Sequence, residues 1–261
     1  MLKFKLFAAA VTGMALLLSA CSSDTPVDYS TVGPDGIVFQ YDLDPGSPLP
    51  PDTPFLMPRL TVFGDGRVIR LAGDSQKPWP ESTEQRLTPD GMQRLLRAAR
   101  DAGLAGATNF GDTPDVVDGQ VSTFILLDEV TRVPNLDSPG TAPLARANLR
   151  SFVARLQDLD NWMGAETSPP TPYAYAKEAV FAIDQGTATD AVPVWPLSNL
   201  AAGVEVGLGA CTIFDTPALD QVKTADLKPG RMAFWRSGDH EFSVTFRPLL
   251  PGETDCASIA S

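Results

Sequence analysis

The feature that most constrains this chain is an apolar N-terminal run that ends in Leu18-Ser19-Ala20-Cys21. Two lysines precede the run and small residues stand just before the cysteine, as in a secretory leader. The run is shorter than the roughly 20 helical residues that a membrane span needs. Its last four residues have the pattern of a lipobox. We therefore expect residues 1–20 to be a lipoprotein signal peptide, Cys21 to carry palmitate-type lipid, and the protein to lie on the extracytoplasmic face of the cell membrane.

The predicted extracytoplasmic location limits the chemistry of the two other cysteines, Cys211 and Cys256. Exported proteins fold in an oxidising environment, where an even pair of cysteines forms a disulfide. Such a bond would stabilise the fold by about 4 kcal/mol in the chain-entropy model. Two free buried thiols or a metal-binding pair are the other interpretations, but no histidine or third cysteine lies nearby in the sequence. We predict a Cys211–Cys256 disulfide.

The formal charge of −12 narrows the classes of partner. An acidic chain without a basic cluster does not neutralise phosphates, which supply most of the affinity for nucleic acid. An anionic membrane surface would not attract it either, so the lipid must provide the anchoring. We expect the membrane, through the N-terminal lipid, and an envelope protein or small ligand as partners, and no nucleic acid.

The first half of the chain alternates strand and helix patterns. A strand is predicted over residues 37–41, and residues 59–70 form a hairpin around Asp65-Gly66, a pair typical of a type I′ turn. Thr88 is the expected N-cap of a helix whose apolar stripe is followed by Gly103. The apolar run of residues 122–127 predicts a strand covered on both faces.

A second helix is predicted over residues 142–163. Its apolar side consists of Leu149, Phe152, Val153, Leu156 and Leu159. The charged residues Arg146, Arg150, Arg155 and Asp158 are expected on its other sides. The order of elements predicts an α+β fold, in which a mixed or antiparallel sheet carries two helices on one face.

The proline-rich segment 165–172 is the predicted boundary between two domains. Residues 21–34 would be a lipidated tether and residues 35–164 the α+β domain. Residues 173–261 would form a smaller, β-rich, disulfide-stapled module. In that module we expect a strand at 179–183, a half-buried strand at 242–247 paired with 232–235, and a short helix within 219–228.

We find no catalytic, cofactor-binding or metal-ligating motif in this sequence. The single histidine, His240, stands between two acids at a hairpin mouth, which is typical of a solvated turn residue. The acids Asp112, Asp115 and Asp118 are spaced by three, whereas a calcium loop spaces them by two. We therefore expect a solvated acidic loop, no metal and no cofactor.

Glycines and tryptophans give two weaker signals. The glycines of residues 203–209 lack the lysine and the spacing of phosphate-binding loops, so turns and tight packing explain them better. Trp79 and Trp195 stand beside prolines in loops. Loop tryptophans mark binding surfaces in some proteins but more often cover the edge of a core.

Three segments together with the lipobox carry a resemblance to known proteins. They are RLTVFGDGRVI (residues 59–69), LTPDGMQRLL (residues 87–96) and FRPLLP (residues 246–251). With them the chain resembles, over nearly its whole length, an uncharacterised lipoprotein family of high-GC Gram-positive bacteria, which brings no established activity. The element order of the first half is also similar to that of emfourin-type protease-inhibitor modules.

Taken together, these patterns predict a lipid-anchored, non-enzymatic envelope protein that binds a ligand or partner. A secreted-side hydrolase is one alternative, and it requires a pocket that gathers two carboxylates, or His240 with a hydroxyl. A protease-inhibitor module is the other alternative. It requires a protruding loop, for which residues 44–58 are the candidate.

Overall fold

Two antiparallel sheets organise the chain in the computed structural model, which describes residues 25–44, 56–72, 79–113, 119–189, 192–223 and 233–260. The predicted signal peptide, the lipobox and Cys21 lie outside these residues, as do most of the candidate inhibitor loop and the acids Asp115 and Asp118. No helix among the described residues is long and apolar enough to cross a membrane.

The first sheet belongs to the N-terminal half and has the strand order β6-β5-β1-β2-β3-β4-β7. Its strands are β1 Ile37–Asp44, β2 Leu60–Phe63, β3 Arg67–Leu71, β4 Ser82–Arg86, β5 Val121–Leu126, β6 Glu129–Pro134 and β7 Thr171–Pro172. One face is covered by helices α1 Pro89–Asp101 and α2 Pro143–Gln157, whose apolar sides share a core with the sheet. The predicted α+β class, with two helices on one face, is confirmed.

The hairpin of β2 and β3 forms as predicted, but its turn differs. Three residues, Gly64 to Gly66, connect the strands, and the Gly66 amide donates to the Phe63 carbonyl at 2.9 Å. Among the turn residues only Gly66 has a positive φ, of +85°. A type I′ turn needs a positive φ at both central residues, so that prediction is wrong. The connection is a three-residue turn with glycine in the left-handed position.

Helix α1 begins and ends where the sequence predicts. The Thr88 hydroxyl accepts a hydrogen bond from the Gly91 amide at 3.1 Å, which satisfies one free donor of the first turn. Gly103, with a φ of +92°, follows the C-terminus. Its apolar stripe is buried, as predicted, and consists of Met92, Leu95, Leu96 and Ala99.

Burial along β5 alternates, so one face of the strand is fully covered and the other only partly. Ser122, Phe124 and Leu126 are buried toward the helices, whereas the residues between them are half-buried. The prediction of a strand covered on both faces is wrong. A run of four apolar residues does not by itself show how completely each face of a strand is covered.

The second predicted helix is broken after Gln157 into α2 and the short helix α3 Leu159–Met163. Its predicted apolar residues are all buried. Arg146, however, is 0% exposed, so its predicted place on a solvated side is wrong. The reason is its phase in the helix, since Arg146 precedes Leu149 by three residues and Val153 by seven.

The second sheet has the order β11-β12-β8-β10-β9. It consists of β8 Lys177–Thr187, β9 Val204–Val206, β10 Gly209–Asp215, β11 Ala233–Ser237 and β12 His240–Pro248. The predicted hairpin of β11 with β12 is confirmed, since Ala233 pairs with Val244. The short helix α4 Asp220–Lys223 lies inside its predicted range.

Both faces of the central strands in this sheet are covered. An aromatic cluster with Trp195 and Trp235 packs on one face, and helix α5 Cys256–Ala260 packs on the other. Ser243 and Arg247 of β12 are therefore buried, and the prediction of a half-buried strand is wrong. The predicted disulfide is confirmed, because Cys211 of β10 is bonded to Cys256 of α5 across 45 residues.

Contacts at two predicted boundaries are more extensive than a linker or tether implies. Val27, within the predicted tether 21–34, is buried in the first core and exchanges two 2.9 Å hydrogen bonds with Gln93. In the predicted linker, strand β7 pairs with β4. The chain therefore joins the folded part earlier than predicted. The division into domains at residues 165–172 stays a prediction.

Candidate binding site

Two neighbouring cavities open beside the C-terminal half of α2, on the helix-covered face of the first sheet. Their volumes are about 580 Å³ and 640 Å³. Tyr41, Leu43 and Gln157 line both, so these three residues form the wall between them. Small-molecule sites commonly have volumes of about 300–1,000 Å³, and both cavities fall within this range.

The alternation of β1 places this dividing wall. Phe39, Tyr41 and Leu43 point to the same face because successive side chains of a strand alternate. The ring of Phe39 packs against that of Phe152 in α2 at a centroid distance of 5.6 Å. The ring of Tyr41 stacks on that of Phe124 at 5.1 Å. Helix α2 ends at Gln157, beside Tyr41 and Leu43. The end of the helix thus leaves space along the last part of β1.

The first cavity combines apolar walls with two arginines. Its described lining contains four leucines, at positions 43, 60, 71 and 156, and no carboxylate. Arg70 is engaged by Asp160, whose carboxylate lies 2.6 Å from its guanidinium. Within the described part of the chain, the half-buried guanidinium of Arg59 has no hydrogen bond or ion pair of its own.

The charge of Arg59 acts on Tyr41, which lines this cavity, and on Asp42, the next residue of β1. Burial raises the pKa of the Tyr41 hydroxyl, and the Arg59 charge and a hydrogen bond from Ser122 oppose the rise. Burial also raises the pKa of Asp42, against the Leu43 amide and the charges of Arg59 and Arg247.

The second cavity lies on the other side of the dividing wall, between α2 and the loop that follows β6. Residues 135–138 form its outer wall. Arg150 of α2 joins the lining and donates to the carbonyls of Leu136 and Asp137 at 3.1 and 3.4 Å. Asp137 is the one carboxylate in the described lining.

Buried Arg146 holds this loop in place. Its guanidinium donates to five backbone carbonyls, those of Phe110, Gly111, Pro134, Asn135 and Ser138. Burial, together with the charge of Arg150, lowers the pKa of Arg146. This role of Arg146 was not predicted from the sequence. The signal that could have revealed it is the position of Arg146 on the apolar stripe of α2.

Where the structure describes them, the candidate residues of the sequence are not brought together into a catalytic site. His240 is exposed, and its Nδ1 atom lies 2.8 Å from Asp184 Oδ2 of the neighbouring strand. A hydrogen bond from the Gly186 amide, and then the one from His240, lower the pKa of Asp184. No hydroxyl joins His240 among its described contacts. This arrangement provides no nucleophile for a triad.

Acids and glycines singled out by the sequence have ordinary structural roles where they are described. The described residues contain no cluster of three or more histidines, cysteines or acids that could hold a metal. A Cβ on Gly209 would lie 2.5 Å from the Ala182 carbonyl, and one on Gly203 equally close to the Cys211 carbonyl. Tight packing around β10 thus explains both glycines, as predicted.

The loop tryptophans cover the core of the second sheet. Trp195 packs edge-to-face on Trp235 at 5.3 Å, and Trp79 packs on Phe246 at 5.6 Å. Trp195 is buried. This arrangement matches the interpretation that loop tryptophans close the edge of a core.

Comparisons of the chain with protein-family models, curated proteins and solved structures found no match. The resemblance to a lipoprotein family therefore stays a prediction from the sequence.

Proposed function

We propose that this chain is an envelope protein held on the extracytoplasmic face of the cell membrane by a lipid on Cys21, with a folded part that binds a ligand without transforming it. The observation that carries the binding role is the pair of adjoining cavities beside α2. The lipobox and the buried disulfide support the location, because disulfides persist in oxidising compartments.

Binding is favoured over hydrolysis by the chemistry of the cavity walls. Hydrolysis of a glycosidic bond needs two carboxylates flanking one space. The described lining of the first cavity contains no carboxylate, and that of the second contains Asp137 alone. Apolar walls with a few fixed polar groups are typical of a site that retains a ligand.

The anchoring is tested in the full chain. Cells that produce it are fed an alkyne-labelled fatty acid, and membrane fractions are compared with those of a Cys21→Ser variant. We expect label and membrane association for the natural sequence and loss of both for the variant. Equal labelling of the two proteins would contradict lipidation at Cys21.

The binding role is tested with the chain that starts at Ser22, which retains every described residue. The protein is incubated with the small-molecule fraction of its own envelope and examined by native mass spectrometry. We expect an adduct that is reduced when Ala72→Phe fills the first cavity or Ala154→Phe fills the second. If neither variant changes the adduct, or none forms, the cavities do not provide the binding function.

A further inference from the structure

We infer that the first cavity binds a small amphiphile with a single carboxylate, whose charged end contacts Arg59 and whose apolar chain lies between the leucines of the wall. This inference rests on the proposed binding function and names the class of ligand.

The charge of the cavity supports an anionic head group. Arg59 and Arg70 line it without a carboxylate in its described lining, although the protein as a whole is acidic. Arg70 is already paired with Asp160, whereas Arg59 has no such partner among the described residues. Asp42 is influenced by the Arg59 charge yet forms no ion pair with it. Among the described residues, Arg59 is therefore the arginine of this cavity that has no paired carboxylate.

The geometry of a guanidinium favours a carboxylate at this position. Its planar fork of donors matches the two oxygens of a carboxylate, and such charge-assisted pairs are stronger than neutral hydrogen bonds. A half-buried guanidinium gains more from this pair than one in open water, since the surroundings screen the attraction less.

The apolar walls support a hydrocarbon chain. Leu43, Leu60 and Leu156 line the space together with Pro170, whereas Leu71 lines its edge and packs on the other side against Phe63 and Ile69. Each methylene that such a wall removes from water raises the affinity roughly fourfold. A polar anion such as acetate offers no methylenes for these leucines, so the ligand class that uses the whole cavity is amphiphilic.

The test measures binding of three ten-carbon probes to the chain starting at Ser22, by calorimetry at neutral pH and below micelle formation. The probes are decanoate, 1-decanol and decyltrimethylammonium. We expect decanoate to bind most tightly, and octanoate to bind roughly fifteenfold more weakly than decanoate because it lacks two methylenes.

Matched variants locate the head group. Arg59→Gln should weaken decanoate binding about tenfold to a hundredfold and leave 1-decanol unchanged, because hydrogen bonds to charged groups have this strength. Arg59→Lys should give an intermediate affinity, since it retains the charge without the fork. Arg100→Gln, at the exposed end of α1 and outside both cavities, should bind like the natural sequence.

Three outcomes overturn the inference. They are no binding of decanoate, equal binding of the cationic probe, and an Arg59→Gln variant that binds decanoate normally. None of these outcomes contradicts the proposed binding function if the envelope fraction still forms an adduct that Ala72→Phe or Ala154→Phe reduces. Failure of that adduct as well would remove both.

Discussion

Arg146 is a cation without solvent and without a carboxylate among its described contacts. An isolated buried charge is costly unless hydrogen bonds compensate it. Here five carbonyl oxygens from two loops surround the guanidinium. The Asn135 carbonyl also accepts from the Ser138 amide, whereas Arg146 is the described side-chain donor of the others. One side chain thus satisfies the backbone of residues 110–111 and 134–138 and shapes the wall of the second cavity.

Replacing this arginine should be among the most damaging single changes on α2. Arg146→Met leaves several buried carbonyls unpaired, so we expect a loss of about 3 kcal/mol in the free energy of unfolding. Urea denaturation measures it. Asn148→Met, at an exposed position of the same helix, is the control and should change stability by less than about 0.5 kcal/mol. A similar small loss for both variants would show that the carbonyls find other partners.

Asp42 provides a prediction with a definite sign in pH. Burial raises its pKa in the folded protein, so the folded state binds a proton more readily than the unfolded chain does. Burying ionised Asp42 lowers the free energy of unfolding. This loss is absent at pH values below the pKa of Asp42 in the unfolded chain, and it is complete above the raised pKa of Asp42 in the folded protein. We expect Asp42→Asn to stabilise the protein at neutral pH and to have no effect in acid.

Unfolding curves of the two proteins across this pH range measure the difference. An advantage of the asparagine that persists unchanged into acid would contradict the assignment, because it would not arise from ionisation of Asp42.

Among the elements, the C-terminal helix α5 is too short to be stable alone, since isolated helices need at least about 12 residues. It lies on the second sheet because its first residue, Cys256, is bonded to Cys211 of β10. The packing of Ile259 near Phe181 and Leu249 contributes to the same cluster. The disulfide therefore joins the end of the chain to the middle of the second sheet.

Removing this bond should destabilise the protein substantially. The double variant Cys211→Ser, Cys256→Ser frees a 45-residue separation in the unfolded chain, and we expect a loss of about 4 kcal/mol. Thermal and urea unfolding measure this loss of stability. The natural protein treated with dithiothreitol, which reduces the same disulfide, should show a similar loss. A loss of stability below about 1 kcal/mol would contradict this prediction, because it would mean that the unfolded chain gains little conformational entropy when the disulfide is removed.

Across the whole molecule, the two sheets share an apolar cluster. Phe63 and Ile69, from the face of the first sheet opposite the helices, pack with Leu250, which follows β12. The Tyr173 hydroxyl donates to the Leu249 carbonyl at 2.8 Å beside this cluster, and its burial raises its pKa to about 12. These contacts couple the two halves.

Because of this coupling, we expect the natural protein to unfold in one transition, with fluorescence and circular dichroism changing together. Leu250→Ala should lower the stability by about 2–5 kcal/mol, the usual cost of removing a buried leucine. Leu144→Ala, at an exposed leucine, is the control and should have little effect. Two separate transitions in the natural protein would show that the halves fold independently.

Local periodicity is what made the fold class predictable. The cap at Thr88, the stripe of α1 and the hairpin of β2 and β3 depend on neighbours in the chain, so the sequence specifies them. The turn type depends on backbone angles that the strands impose, and it was missed. Burial of β5 and β12 depends on what packs against each face, which periodicity alone does not reveal.

The sequence by itself determined the α+β elements and the pairing of Cys211 with Cys256, because both follow from residue patterns and from the count of available cysteines. Only the tertiary structure decided the candidate site. Tyr41, Arg59 and Leu156 come from three segments of the chain that line one cavity. Arg146 donates hydrogen bonds to backbone carbonyls of two loops in place of water. Both sets of contacts join segments that are distant in the sequence, and no local residue pattern is sufficient to predict them.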